Sequence, residues 1–192
     1  FADKLLAAAD AAKPQDAEAL KGARWPEGGT VTEALATLIA KIGENMEVGG
    51  VTCWTAGAGE LLSCYEHHDK RAGTVVRVQA AAVTPAVQAV ARELAQHVYA
   101  SKPIALSRAD IAADVIEKER EIYRAQVAQD PKMAGKPPPV VENIVKGKVE
   151  SFFKEKALVD QPWYRDQAQS VAAVLKAQGA TALVFRPHQA GA

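Results

Sequence analysis

The stretch Lys41-Ile42-Gly43-Glu44-Asn45 ends an amphipathic helix that begins near Thr32 and leads into a segment rich in β-forming residues. Apolar residues recur in the helix at steps of three and four, which places them on one face; they are Leu35, Leu38, Ile39 and Ile42. Thr30 and Glu33 have the spacing of a capping box at its start. Gly43 is placed to end the helix, because glycine accepts the left-handed backbone that often follows a last turn. The pattern therefore predicts a helix with two defined ends.

The composition is that of an ordinary soluble protein. The 192 residues are enough for one or two small domains, and 48% of them are hydrophobic and 24% charged. The 23 basic and 23 acidic residues balance to a formal net charge of zero, which gives no long-range attraction to nucleic acid or to an anionic membrane. No apolar run approaches the ~20 residues of a membrane span, and no signal peptide is visible. We therefore expect neither direct binding of nucleic acid nor a membrane span.

Residues 46–78 have the pattern of an antiparallel meander. The predicted strands Met46–Trp54 and Glu60–Glu66 flank a turn, and a third strand, Thr74–Val78, follows a polar turn. If the first turn closes a hairpin, Cys53 and Cys64 fall nearly opposite each other. Two cysteines do not form a disulfide framework, so a disulfide between them and two reduced thiols both remain open.

Helical segments lie on both sides of this meander. Residues 2–12 are rich in alanine and predict a helix. Thr84 and Pro85 fit an N-cap and a first helical residue. The helix that follows has a buried stripe and ends before Pro103; the stripe consists of Val87, Val90, Ala91, Leu94 and Val98. His97 lies on that apolar face, so we interpret it as a hydrogen-bonded core histidine rather than a metal ligand.

Two charged segments between residues 107 and 157 predict a pair of helices. Ser107 is a candidate N-cap for the first helix, whose narrow apolar seam includes Ile116, Tyr123 and Val127. The second follows a run of prolines and carries its seam at Val141, Val145, Val149 and Phe152. Because the rest of each helix is charged, we predict an antiparallel helical hairpin that projects from the body. Two ordinary surface helices packed on the sheet are the alternative.

The last part of the chain predicts a loop, a helix and a strand. The loop covers Asp160–Tyr164, the helix covers Ser170–Lys176 with Gly179 as its cap, and the strand covers Thr181–Phe185. The predicted strands cluster between helices, and repeated βαβ units are absent from the pattern. This indicates an α+β fold with small antiparallel sheets flanked by helices.

No set of residues in the sequence has the pattern of an active site. His67-His68-Asp69 contains the one adjacent pair of histidines, and the other histidines lack ligand-like spacing to it, whereas a zinc site needs three or four converging ligands. Cys64 lies near a histidine, but nothing indicates an orienting acid or oxyanion donors. The glycines at 57 and 59 lack the spacing of a phosphate loop. We therefore expect an interaction protein with no enzyme activity, no cofactor and no metal.

Several short motifs occur in order along nearly the whole chain. They are Lys41–Asn45, Ser63–His67, Ser101–Pro103, Leu106–Arg108, Glu117–Glu121, Val141–Lys148 and Gln161–Trp163. Each motif alone is weak, but the ordered set resembles bacterial and organellar elongation factor Ts, the nucleotide exchange factor for elongation factor Tu. The helix that runs into Lys-Ile-Gly-Glu-Asn is the sharpest part of this resemblance.

The resemblance implies a domain organisation and a partner surface. Residues 1–82 correspond to a first core subdomain and residues 83–192 to a second, into which a helical hairpin of residues 112–157 is inserted. The family uses that hairpin for dimerisation or for contacts with elongation factor Tu, which implies a homodimer or a larger assembly as one outcome. The contact residues that the resemblance implies for elongation factor Tu are Ile42, Gly43, Glu44, Asn45, His67, Tyr164 and Arg165. Such a factor prefers the nucleotide-free partner and so lowers its affinity for GDP.

The chain also departs from the family pattern. A Thr-Asp-Phe motif, which disturbs the nucleotide site in the family, does not occur in it, and Gly49-Gly50 replaces the usual pair of arginines. Two functions therefore stay open: an exchange factor whose N-terminal part lies outside this sequence, and a divergent copy that serves as a structural or scaffolding subunit of a larger assembly. Because the first residue is Phe1 rather than Met, we expect a processed or partial chain. The resemblance implies the bacterial cytoplasm, a mitochondrion or a plastid as the compartment.

Overall fold

The computed structural model describes residues 1–131 and 136–191, and the chain folds into two compact units. The first unit comprises Phe1–Thr55 with the last residues from His188 onward, and the second comprises Ala56–Pro187. Small antiparallel sheets are flanked by helices, so the expected α+β fold is confirmed. The division into subdomains at residue 82, which the resemblance implies, stays a prediction.

The first unit contains three helices, α1 (Ala2–Ala12), α2 (Ala17–Lys21) and α3 (Val31–Ile42). The predicted capping box is present, because the Glu33 N–H donates to the Thr30 hydroxyl and the Thr30 N–H donates to the Glu33 carboxylate. A small core holds the helices together; its buried members are Ala8, Ala9, Leu20, Ala23, Trp25 and Val31. Val31 is the one buried residue of α3, so the rest of its apolar face stays half-buried or exposed.

The segment Met46–Trp54 does not form the predicted strand, and it runs without regular secondary structure. Gly49 and Gly50 give the physical reason, because glycine has no side chain to pack on a sheet and loses the most chain entropy when it is ordered. The hairpin expected around residues 56–59 is therefore wrong. The apolar residues of this segment were not enough to offset two consecutive glycines.

The second unit is longer and carries the main sheet. Its elements are β1 (Glu60–Glu66), β2 (Ala72–Ala80), α4 (Pro85–Ser101), α5 (Ala113–Gln129), α6 (Pro138–Lys156), β3 (Pro162–Trp163), β4 (Asp166–Ser170), α7 (Val171–Ala177) and β5 (Ala180–Gln189). The last two residues of β5 belong to the first unit. The main sheet has the order β1-β2-β5, and β1 pairs antiparallel with β2 from Glu60 opposite Gln79 to Glu66 opposite Gly73. The two strands predicted there are confirmed.

The core of the second unit lies between the main sheet and α4. The Thr84 hydroxyl accepts from the Val87 N–H, which confirms the predicted start of α4. Every second residue of β2 is buried, as expected of a strand with one face on a core. The large side chains of this core that are at most 2% exposed are Val76, Val78, Val87, Leu94, Val98, Leu158, Val171 and Leu175. The buried stripe predicted for α4 is therefore confirmed.

Both cysteines are free in the structure. Cys64 lies on β1 opposite Val75 of β2. The Cys53 thiol donates to the Ala9 carbonyl oxygen at 3.7 Å and packs against the core of the first unit. The predicted cross-strand position of the two cysteines depended on the strand at 46–54, so it is wrong for the same reason.

Helices α5 and α6 form an antiparallel pair. One apolar cluster joins the first half of α5 to the end of α6, and a second joins the end of α5 to the middle of α6. The buried members that lie on the two helices are Phe152, Val127, Val145 and Val149. Neither helix packs extensively against a strand in residues 1–131 and 136–191. The predicted helical hairpin is confirmed, whereas most of its link, residues 132–135, lies outside the described residues.

Ser107 caps a single 3₁₀ turn and not α5, so that predicted N-cap is wrong. The Ser107 N–H and hydroxyl donate to the Asp110 carboxylate at 2.9 and 2.6 Å, which closes a capping box over Arg108–Asp110. Ile111 then has an extended backbone, and α5 begins at Ala113. The turn ends because Ile111 leaves the helical conformation and is buried in the apolar cluster that includes Phe152, so α5 begins as a separate helix.

Gln161 ties the base of the hairpin to the end of α4. Its Nε2 donates to the carbonyl oxygens of Ser101, at 3.4 Å, and Glu155, at 2.5 Å. Its Oε1 lies 2.9 Å from Nε2 of His97, which is fully buried. Because the Gln161 nitrogen donates to the two carbonyls, the Gln161 oxygen is the acceptor in the bond with His97, and Nε2 of His97 is the donor. The interpretation of His97 as a hydrogen-bonded core histidine is confirmed.

Stability is expected to fall as the pH drops below about 6.5, because of His97. Burial lowers the pKa of His97 from its ordinary value of 6.5, and the hydrogen bond to Gln161 opposes the shift. The unfolded chain therefore takes up a proton at a higher pH than the folded chain does. Between the pKa of His97 in the unfolded chain and its lower pKa in the folded chain, the free energy of unfolding should decrease as the pH falls. The decrease is at most about 1.4 kcal/mol per pH unit. Urea unfolding at a series of pH values between about 7.5 and about 5 measures the slope.

The variant His97→Gln is the control for this slope, because its amide can still donate to Gln161 but does not titrate. Its unfolding free energy should depend less steeply on pH than that of the wild type over the same range. Equal slopes for the two proteins would show that His97 is not the group responsible.

The C-terminal part of the second unit contains one sheet that the sequence pattern does not predict. Within the expected loop, Pro162–Trp163 forms β3 and pairs antiparallel with β4, with an irregular register. β4 is polar and mostly exposed, so it has no alternation of apolar residues that could indicate a strand. The predicted helix and final strand are confirmed as α7 and β5, with β5 extending past Phe185.

Candidate partner-binding surface

Ile42 and Gly43 form an exposed corner at the end of α3. Ile42 is the last residue of the helix and is 52% exposed. Gly43 has a φ of 78°, and its N–H donates to the Ile39 carbonyl oxygen at 2.8 Å. This left-handed backbone favours glycine, so the predicted helix end is confirmed. Glu44 and Asn45 follow and are exposed, and the four residues together form a continuous stretch of surface on the first unit.

His67 lies just after β1, in the second unit. Its ring stacks on the ring of Tyr99 in α4, with centroids 4.5 Å apart and an interplanar angle of 26°. Its Nδ1 lies 3.1 Å from the Tyr65 hydroxyl, and the two tyrosine rings are 5.3 Å apart. The two tyrosines therefore fix the orientation of a half-buried imidazole.

Tyr164 and Arg165 follow β3 and contact α4. The Tyr164 hydroxyl donates to Oε1 of Gln96 at 3.1 Å and accepts from Nε of Arg165 at 2.9 Å. Nη1 of Arg165 lies 3.1 Å from Oε1 of Glu93. The hydrogen bond with Tyr164, followed by the charge of Glu93, raises the pKa of Arg165 above its ordinary value, so the guanidinium stays charged. The tyrosine and the arginine are thus anchored to the helix by a chain of polar contacts.

Helix α4 brings His67 and the Tyr164–Arg165 pair to one surface. Their partners Glu93, Gln96 and Tyr99 recur at steps of three residues, which places them on one face of the helix. With a rise of about 1.5 Å per residue, successive partners lie about 4.5 Å apart along the axis. We call this set the α4 surface; it consists of His67, Glu93, Gln96, Tyr99, Tyr164 and Arg165. The residues Ile42–Asn45 belong to the first unit and are not part of it.

The sequence alone does not single out the α4 residues of this surface. A signal is present, since Glu93, Gln96 and Tyr99 recur at helical spacing beside the buried stripe. The contact between Gln96 and Tyr164 cannot be predicted from the sequence, because the two residues lie 68 residues apart in the chain. Three-dimensional structure is needed to show that the two predicted contact regions of the second unit share one helix face.

The hairpin carries a groove with charged walls. Its volume is about 350 Å³, and its lining is Arg120, Arg124, Glu142, Asn143, Val145, Lys146, Val149, Glu150 and Phe153. Arg124 pairs with Glu142 at 3.0 Å and with Glu117 at 3.4 Å, and Arg120 pairs with Glu117 at 3.1 Å. The charges in the walls largely compensate one another, so the groove offers no strong field of one sign.

Groups that could hold a metal do not converge in the described chain. In residues 1–131 and 136–191, no three His, Cys, Asp or Glu side chains are arranged to bind an ion. The rings of His67 and His68 are 4.2 Å apart, but a third ligand does not join them there. No helix within the same ranges combines the length and the apolar character needed to cross a bilayer.

Known proteins match the chain along its full length. The family model described as Elongation factor TS matches residues 1–192. The chain belongs to the elongation factor Ts family. It is 36% identical to Elongation factor Ts of Clostridium botulinum (strain Alaska E43 / Type E3) over 171 residues and 38% identical to that of Idiomarina loihiensis over 191 residues. Elongation factor Ts of Xylella fastidiosa (strain 9a5c) is 36% identical over 191 residues. The family that the sequence resembles is confirmed.

The chain is shorter than these members of the elongation factor Ts family. The three alignments cover 89%, 100% and 100% of this chain, but only 55%, 61% and 62% of the relatives. The match therefore establishes the family of this part of the protein and gives no residue a role. The seven predicted contact residues and the assembly through the α5–α6 hairpin stay predictions.

Proposed function

We propose that this chain binds elongation factor Tu and promotes the release of GDP from it during translation elongation. The match to the elongation factor Ts family over residues 1–192 carries the proposal. The corner at Ile42–Gly43 and the α4 surface support it, because together they present exposed apolar, aromatic and arginine side chains. Side chains of these kinds, tyrosine and arginine above all, dominate the energies of protein interfaces.

The proposed mechanism is differential binding. A factor that binds nucleotide-free elongation factor Tu more tightly than the GDP complex lowers the affinity for GDP by the same ratio, because the coupling between two ligands is reciprocal. The residues of this chain would bind and orient the partner, and no covalent bond would be made or broken. On this proposal the protein is an exchange factor and not a chemical catalyst.

We also propose a compartment for this protein, on the basis of its relatives. The relatives named above are bacterial proteins, which supports the bacterial cytoplasm. The mitochondrial and plastid alternatives stay predictions.

Two measurements with purified elongation factor Tu test the proposed function. Calorimetry gives the affinity of the chain for the nucleotide-free partner and for its GDP complex, and fluorescent GDP gives the rate of nucleotide release. We expect tighter binding to the nucleotide-free form and faster release of GDP. Equal affinities would leave a binding protein without exchange activity, which would overturn the proposed release of GDP. A folded chain that binds neither form would overturn the whole proposal and favour the scaffolding function.

A further inference from the structure

The Gln96 side chain is held in a fixed orientation on the α4 surface. Its Oε1 accepts the hydroxyl proton of Tyr164, and that hydroxyl accepts in turn from Nε of Arg165. An arginine nitrogen can only donate, so the Tyr164 hydroxyl keeps its own proton, which it donates to the amide oxygen of Gln96. In the part of the chain that the structure describes, the Nε2 group of Gln96 donates to no other atom. The amide therefore carries its free donors at a defined position.

Arg165 adds further donors at the same place. Its Nε serves Tyr164 and its Nη1 lies beside Glu93, while its side chain is 59% exposed. The remaining N–H groups of the guanidinium are free to bind a partner, because arginine has five donors and no acceptor. Arg92, in the preceding turn from Gln96, is exposed as well. This end of the surface is thus rich in hydrogen-bond donors and in positive charge.

We propose that Gln96 is a partner-contact residue and that, with Arg165, it binds a carboxylate or main-chain carbonyl group on elongation factor Tu. The inference rests on the proposed function and deepens it by naming a contact residue and the chemistry of its partner group. Groups that can only accept complement the free donors of Gln96 and Arg165, and such complementarity selects the partner and sets the register of docking. Tyr164 beside them supplies the rigid, half-exposed aromatic body that interface centres favour.

The variant Gln96→Glu tests this proposal with little change in shape. Its carboxylate retains an oxygen that accepts from Tyr164, but the free amide donor becomes an acceptor with a negative charge. The affinity for nucleotide-free elongation factor Tu should fall about tenfold, which corresponds to about 1.4 kcal/mol. Gln88→Glu is the matched control, because Gln88 is exposed on α4 two turns earlier and the charge change is identical. Its affinity should equal that of the wild type.

Each outcome of this experiment has a defined meaning. Weaker binding by Gln96→Glu alone supports the inference, and weaker binding by Gln96→Ala, which removes the donor without adding charge, supports it further. Unchanged binding by both Gln96 variants overturns it while leaving the proposed function intact. Tighter binding by Gln96→Glu also overturns it, since the partner group would then be a donor. If the wild-type chain does not bind elongation factor Tu, the proposed function fails first and this inference falls with it.

Discussion

Gln161→Leu is expected to lower the free energy of unfolding by about 3 kcal/mol. Gln161 is 3% exposed and makes three side-chain hydrogen bonds, to His97, to the Ser101 carbonyl and to the Glu155 carbonyl. Leucine fills a similar volume but leaves each of the three partner groups without its bond, and each buried loss costs about 1 kcal/mol. Urea unfolding followed by far-UV circular dichroism measures the difference.

Gln167→Leu is the matched control for this substitution. Gln167 lies on β4, six residues after Gln161, and is exposed, so the same change there should alter stability by less than about 0.5 kcal/mol. A double-mutant cycle with His97→Phe, which has no donor for Gln161, then isolates the contact between the two side chains. Equal free energies of unfolding for the Gln161 and Gln167 variants would show that the Gln161 hydrogen bonds make no net contribution to stability.

The role of Gln161 explains one of the short motifs that carry the family resemblance. The Gln161 side chain bonds to the ends of α4 and α6, and the Trp163 ring stacks on His97 with centroids 5.2 Å apart. The motif Gln161-Pro162-Trp163 therefore holds the base of the hairpin against the core of the second unit. Its function in this chain is structural, which separates it from the motifs whose residues are exposed.

Local signals were enough to predict most of the helices. The start of α3 follows from Thr30 and Glu33, and its end follows from Gly43, because caps act within one turn of the chain. The start of α4 follows from Thr84 and Pro85 in the same way. The pairing of β1 with β2 is also local, since a short polar turn joins two segments of regular alternation.

The sequence predictions were wrong or missing for segments whose structure depends on distant contacts or on the absence of side chains. Residues 46–54 have apolar character, but Gly49 and Gly50 remove two packing positions. β3 and β4 have no apolar alternation, and Trp163 is held instead by stacking on His97. Ser107 has the right chemistry for a cap, but the extended backbone of Ile111 ends the turn after three residues.

The candidate site shows the same division between local and distant information. Gly43 can be placed at a helix end from the sequence, whereas the exposure of Ile42 is known only from the structure, because the spacing puts Ile42 on the apolar face of the helix. His67 and Tyr164 come from the family resemblance, and the sequence gives no reason to bring them together. They share a surface because Tyr99 and Gln96 lie three residues apart on α4.

Ile42→Asp is expected to weaken binding to elongation factor Tu by about 10- to 100-fold. Ile42 is 52% exposed, so binding would bury about half of its side chain, and the loss of that contact removes about half of the 1.5–3 kcal/mol for burying a whole isoleucine. The aspartate must in addition lose water in an apolar contact, which raises the cost. Calorimetry with the nucleotide-free partner measures the change in Kd.

The loss of the contact must be separated from a loss of helix stability. An acid at the C-terminal end of α3 interacts unfavourably with the helix dipole and destabilises the helix by about 0.3–1 kcal/mol. Ile42→Lys places a favourable charge at the same position, so its fold should be at least as stable, yet it should also bind weakly. Leu6→Asp is the matched control, since Leu6 is 69% exposed on α1 in the same unit. Weak binding by both Ile42 variants, with normal binding by Leu6→Asp, would identify the end of α3 as a contact with elongation factor Tu. Normal binding by both Ile42 variants would remove this corner from the interface and leave the α4 surface as the remaining candidate.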